Sequence, residues 1–224
     1  MPFEPVQASG PRAAPASPAA SPTPTISASP VASAAASPSP LAAGASRKPC
    51  GTPGATVVSF RVEIDEGLDM SPQKFARAVR AILCDKRSWT ASGSVRFRYH
   101  PLGSLLVGLR TPDESQKRCL RLTGLSVNRT YSCGTRPEVV INSDRWFGNS
   151  AKFPASLTEY RRMLINHEVG HSLGLHHQSC AANGKPAPVM MQQSKGMRSA
   201  NGFTCSPNPW PGPEELSRLR AIRK

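Results

Sequence analysis

Four of the five histidines of this chain fall within eleven residues, His167-Glu168-Val169-Gly170-His171-Ser172-Leu173-Gly174-Leu175-His176-His177. His167 and His171 are four apart. On an α-helix that spacing stacks two imidazoles on one face, one turn apart, as two ligands of a single metal ion require. Glu168 stands beside the first ligand, placed to reach a water at the metal rather than the metal itself. Gly174 permits the left-handed backbone that ends a helix at little cost. The chain can then turn back and deliver a third imidazole, His177, three residues later. His176 reads as an exposed neighbour of that ligand. Three neutral nitrogen ligands, an open fourth position and a carboxylate suit Zn2+ in a catalytic role, where the ion lowers the pKa of water to about 7. The expectation is one zinc per chain on His167, His171 and His177. Glu168 would take the proton of a water attacking a carbonyl and pass it to the leaving amine. Imidazoles ligate only when neutral, so metal binding is expected to weaken below about pH 6.

Such a site needs a rigid helix and a scaffold behind it. The segment 156–175, SLTEYRRMLINHEVGHSLGL, carries the longest helical pattern of the chain. Upstream, ATVVSFRVEI (55–64) is β-branched and partly alternating, which predicts a strand. Ser71-Pro72 opens a helix over 71–85 with apolar positions at Phe75, Val79, Ile82 and Leu83. SVRFRYH (94–100) alternates as a half-buried strand, and SLLVGLR (104–110) reads as its neighbour. TPDESQKRCL (111–120) has the cap, proline and early acids of a short helix. EVVIN (138–142) is a short strand and a candidate sheet edge. PEELSRLRAIR (213–223) is a closing helix. Strands come early and helices late, which predicts an α+β domain rather than an alternating doubly wound one.

That domain fills only part of the 224 residues. Residues 1–49 hold 11 Pro, 14 Ala and 9 Ser. Such a stretch has little to bury against its ordering entropy, so it reads as a disordered linker ahead of a folded domain over 50–224. Lys and Arg number 28 against 14 Asp and Glu, a net charge of +14. A basic surface can meet an anionic cell envelope. The positive charges are scattered, however, and no aromatic stacking platform accompanies them, so no nucleic-acid partner is expected. There is no glycine-rich phosphate loop, and no apolar run of membrane-spanning length. Cys50, Cys84, Cys119, Cys133, Cys180 and Cys205 form no CxxC pair. Their even number suits three disulfides in an oxidising compartment. Six cysteines allow 15 connectivities, and their positions do not choose among them. The opening MPFEPVQASG has no basic n-region and no apolar h-region. An export or anchor segment upstream of this start is therefore expected, with a domain that is extracellular or associated with the cell envelope.

The pattern HExxHxxGxxH resembles the metzincin clan of zinc endopeptidases. INHEVGHSLGLHHQSC, KPAPVMMQQ and CSPNPWP more closely resemble an actinobacterial family, domain of unknown function 3152, over about Thr56 to Lys224. The resemblance implies a zincin-like fold, a twisted mixed sheet packed on an active-site helix. It implies His167, His171 and His177 as metal ligands and Glu168 as the catalytic carboxylate. Met190, rather than the adjacent Met191, becomes the methionine of a Met-turn, an apolar floor beneath the metal. It also implies Cys119 paired with Cys133 and Cys180 with Cys205, with Cys50–Cys84 as an additional pair. Gln192 and Gln193 depart from the pattern, standing where some metzincins place an assisting tyrosine. The expected function is that of a monomeric, secreted zinc peptidase acting on peptides or proteins. An extended substrate would add as a strand to a sheet edge near the zinc. The alternatives are a zinc-stabilised extracellular binding or scaffolding domain without turnover, and a basic polyanion binder.

Overall fold

The computed structural model describes residues 48–223, so the linker expected over 1–49 lies outside the described residues except for its last two. The order is β1 (Thr56–Ile64), α1 (Pro72–Leu83), β2 (Val95–Tyr99), β3 (Leu105–Arg110), α2 (Pro112–Thr123), β4 (Cys133–Gly134), β5 (Glu138–Asn142), α3 (Ser143–Gly148), α4 (Leu157–Ser172) and α5 (Pro213–Ile222). Short 3-10 turns lie at Trp89–Ser92 and Gln193–Lys195. The helices begin where short polar side chains take up orphan N–H groups. Ser71 accepts from the Lys74 N–H, and Thr111 from that of Glu114. Ser156 and Glu159 form a reciprocal capping box at the start of α4.

The strands make one mixed five-stranded sheet in the order β2-β1-β3-β5-β4. The first four are parallel, and β4 runs antiparallel to β5. The fold is α+β, as expected, but two expectations of neighbourhood change. SVRFRYH and SLLVGLR do not pair with each other: β2 and β3 lie on opposite sides of β1. Parallel strands ordinarily need a long crossover. Here β2 pairs with residues 56–60 of β1 and β3 with 60–64, so β2 ends where β3 begins and five residues bridge them. The bridging chain passes directly over β1. A Cβ at Gly103 would collide with the backbone of Phe60 and Arg61, and only glycine allows that approach. The second change concerns EVVIN. β5 is paired on both sides, to β3 and, at Val139 and Val140, to β4. The edge is the two-residue β4, and apolar β5 is covered because it lies inside the sheet.

Alternation of side chains divides the core. Val139 and Ile141 face α1 and α4 with Phe60, Phe75, Trp89, Phe97, Trp146 and Tyr160. Val140 points the other way, toward Cys119 of α2. Phe75 and Trp146 meet edge to face at 5.0 Å between centroids. On the α2 side, buried Arg110 binds Glu63 at 2.8 Å, Asp65 at 3.1 Å and Glu138 at 3.3 Å. Three disulfides, Cys50–Cys84, Cys119–Cys133 and Cys180–Cys205, leave no free cysteine among the described residues. No described helix is long and apolar enough to cross a membrane.

Candidate metal centre

α4 is buried nearly all round along its second half, from Met163 to Gly170. Asn166, next to the first histidine, is clamped from three directions. It accepts from Ser88 Oγ at 2.8 Å through its side chain and from Trp89 Nε1 at 2.9 Å through its carbonyl. Its Nδ2 donates to the Pro209 carbonyl at 2.9 Å. The helix then ends in a Schellman turn. The Leu175 N–H bonds the Gly170 carbonyl at 3.0 Å, the Gly174 N–H bonds that of His171 at 2.9 Å, and Gly174 has φ +96°. This turn brings His177 back against the helix.

His167, His171 and His177 converge, with one ring nitrogen of each within 4.8 Å of the others. His167 Nδ1 lies 2.7 Å from the Val189 carbonyl and His171 Nδ1 2.9 Å from that of Leu175. A carbonyl can only accept, so each Nδ1 carries the proton and each Nε2 presents a lone pair. His171 Nε2 and His177 Nε2 are 3.1 Å apart. Nitrogens sharing a tetrahedral metal at bond lengths of about 2.0–2.1 Å are about 3.3 Å apart, so this pair has the spacing of two ligands, and the triad could hold a metal ion. His176 is exposed and outside the triad.

Burial sets the protonation of the site. It lowers His167 to about 3, helped by the neighbouring His171 charge, and lowers His177 to about 4. His171 is lowered for the same reason. For His167 and His177 the expected protonation near pH 6 therefore moves down: both stay neutral well below that pH, and His171 shifts in the same direction. Glu168, 6% exposed, is raised by burial to about 8.

Two glycines bring neighbours onto α4. A Cβ at Gly134 would strike the Glu168 carbonyl, so edge strand β4 rests on the helix backbone at the carboxylate. A Cβ at Gly170 would strike Met190 Sδ, so Met190 lies against the helix between the two histidine positions. Met190 is fully buried in the main core, whereas Met191 packs with Cys180 and Cys205. The Met190 carbonyl accepts from the Gln178 N–H at 3.1 Å, tying it to the residue after His177. Gln193 is buried and bonds the Pro188 and Asn208 carbonyls, while Gln192 is exposed in the cleft. That cleft has a volume of about 520 Å3 and exposes the three imidazoles and Glu168.

Sequence reasoning missed Asn166 and Glu215. Glu215, on α5, is 1% exposed and accepts from the N–H groups of Val189 at 3.1 Å, Met190 at 2.8 Å and Gly212 at 2.7 Å. Its bond to Gly212 is legible as a helix-start signal, but its reach to residues 189 and 190 is not.

Residues 41–213 match the family described as protein of unknown function (DUF3152). The chain belongs to this family. The DUF3152 match takes in every strand of the sheet, α1 to α4, all six cysteines and the three converging histidines. No curated protein matches the chain.

Proposed function

We propose that this DUF3152 chain is a zinc-dependent peptidase of metzincin-like fold, secreted or associated with the cell envelope. One observation supports the proposal above all: three imidazoles bring one ring nitrogen each within 4.8 Å of the others, and the Glu168 carboxyl lines the same open cleft. A site that only retained metal would not need that carboxyl. The metzincin-like reading is supported by the glycine-ended helix, the placement of Met190 and the single antiparallel edge strand. The three disulfides support an oxidising compartment.

His167, His171 and His177 would hold the ion. Zinc, when bound, activates water and polarises a carbonyl. Glu168 accepts the proton of the attacking water on a carboxylate oxygen and delivers it to the leaving amine nitrogen. Burial favours the protonated carboxyl in the metal-free chain, and the charge of a bound ion would lower it again, leaving the carboxylate that accepts this proton. β4, resting on α4 at Glu168, offers an edge along which an extended peptide adds by main-chain hydrogen bonds.

The test is metal content by elemental mass spectrometry on the purified full chain, with hydrolysis of a mixed peptide library with and without chelator. One zinc per chain and chelator-sensitive cleavage are expected. Zinc without cleavage would favour a binding domain, and a chain that takes up no zinc would overturn the site.

A further inference from the structure

Beside the imidazoles, the same cleft holds two cationic side chains that the proposed hydrolysis does not use. The Arg145 guanidinium carbon lies 5.3 Å and Lys195 Nζ 5.2 Å from the ring centroid of Tyr131. All three residues line the cleft with His167 and Glu168. Neither cation forms an ion pair among the described residues. Arg145 donates instead to the carbonyls of Thr130 at 2.9 Å and Asn149 at 3.3 Å. Among the described residues, buried Glu168 is the only acidic side chain lining the cleft.

Both cations sit on fixed segments. Arg145 is on α3, held by those two carbonyls. Lys195 ends the 3-10 turn that follows Met190. That turn is pinned by Gln193, by Ser150 Oγ donating to the Ser194 carbonyl at 2.9 Å, and by the 2.9 Å bond between Tyr160 and Ser194 hydroxyls. Lys195 is exposed, yet its charge is felt at His167 and His177. Two cations carried on held segments in the cleft of the imidazoles, neither with an ion-pair partner among the described residues, are the complement of a ligand carboxylate.

We propose that Arg145 and Lys195, around the Tyr131 ring, form a carboxylate-binding subsite, and that the cleft selects acidic peptides carrying Asp or Glu next to the bond presented to the metal centre. The peptide nature of the ligand rests on the function proposed above; the charge preference rests on the cleft itself. The guanidinium offers paired N–H donors to a carboxylate and the ammonium a mobile point charge. The net charge of +14 would favour encounter of acidic ligands with the molecule as a whole, and the two cleft cations would fix where they bind.

The experiment measures binding without catalysis. Fluorescently labelled, end-blocked neutral peptides carry Glu, Gln or Lys at each position in turn, and are titrated into the metal-free full chain by anisotropy. At one or two adjacent positions the Glu peptide is expected to bind about tenfold tighter than the Gln peptide, with Lys weakest. The advantage should shrink at high salt. Lys195→Glu, on an exposed side chain, should invert the order of the Glu and Lys peptides. Equal affinities at every position, or an order unmoved by Lys195→Glu, would overturn the subsite. Should the ranking hold while the zinc-loaded chain cleaves none of the peptides, the subsite stands and the peptidase proposal falls.

Discussion

Each helical imidazole is held by a backbone carbonyl, and one of those carbonyls is itself held in place. Val189 accepts from His167 while its own N–H, with that of Met190, is fixed by Glu215. Glu215→Ala leaves the buried N–H groups of Val189 and Met190, and the half-buried one of Gly212, without that acceptor. It should cost about 3–5 kcal/mol in urea unfolding and weaken zinc affinity about tenfold or more in chelator competition. Glu168→Gln should keep zinc and lose at least about a hundredfold in peptide turnover. The same variant tests burial in the metal-free chain. Glu168 is raised from 4.5 to about 8, so the folded chain binds more protons than the unfolded one between those values, and stability falls as pH rises through them. Gln lacks that loss. The variant should therefore melt several degrees above the parent at pH 8 and level with it below pH 4.5. Zinc retention on acidification should persist below pH 6 and fail toward pH 4, where His177 protonates; half-loss at pH 6 would contradict buried, neutral ligands. The convergence of the three histidines was readable because helical spacing and a glycine turn are local. Asn166 and Glu215 were not, because their partners lie as many as 78 residues away.

Elements meet at the site through missing side chains. Gly134→Ala forces β4 off the rigid backbone of α4 at Glu168 and should cost about 1–3 kcal/mol, with weaker peptide binding. Gly170→Ala meets both the Met190 side chain and the fully buried Trp89 ring, so a cost of the same order is expected, read as a fall in melting temperature. Every long element was legible from caps and periodicity: α1 and α2 start at Ser71-Pro72 and Thr111-Pro112 as read. α3 and β4 were missed, being too short to show a period. The pairing of β2 and β3 was misread because nothing around Gly103 announces that the chain steps over another strand. The edge was misplaced for a related reason: a two-residue β4 leaves no alternation to read.

At the scale of the molecule, covalent links tie the outer elements to the core. Cys119–Cys133 joins α2 to the edge strand beside Glu168. Replacing both cysteines by serine should lower stability by about 3 kcal/mol, read by denaturant midpoint, and loosen the cleft wall. Charge and disulfide number were legible in composition; the position of Arg145 and Lys195 around one ring was not, since they lie 50 residues apart and meet only at Tyr131 in the folded chain. Cys50–Cys84 has a mechanical consequence. Cys50 also clasps the outer edge of β2 through Phe97. Tension applied upstream of Cys50 enters the domain at this link and is handed directly to Cys84, so the intervening loop, which contains β1, bears no load along its own backbone. β1, one strand in from that edge, would keep its place under a pull strong enough to strip hydrogen bonds from the sheet's rim, and reduction of that one bond would reroute the force straight through it.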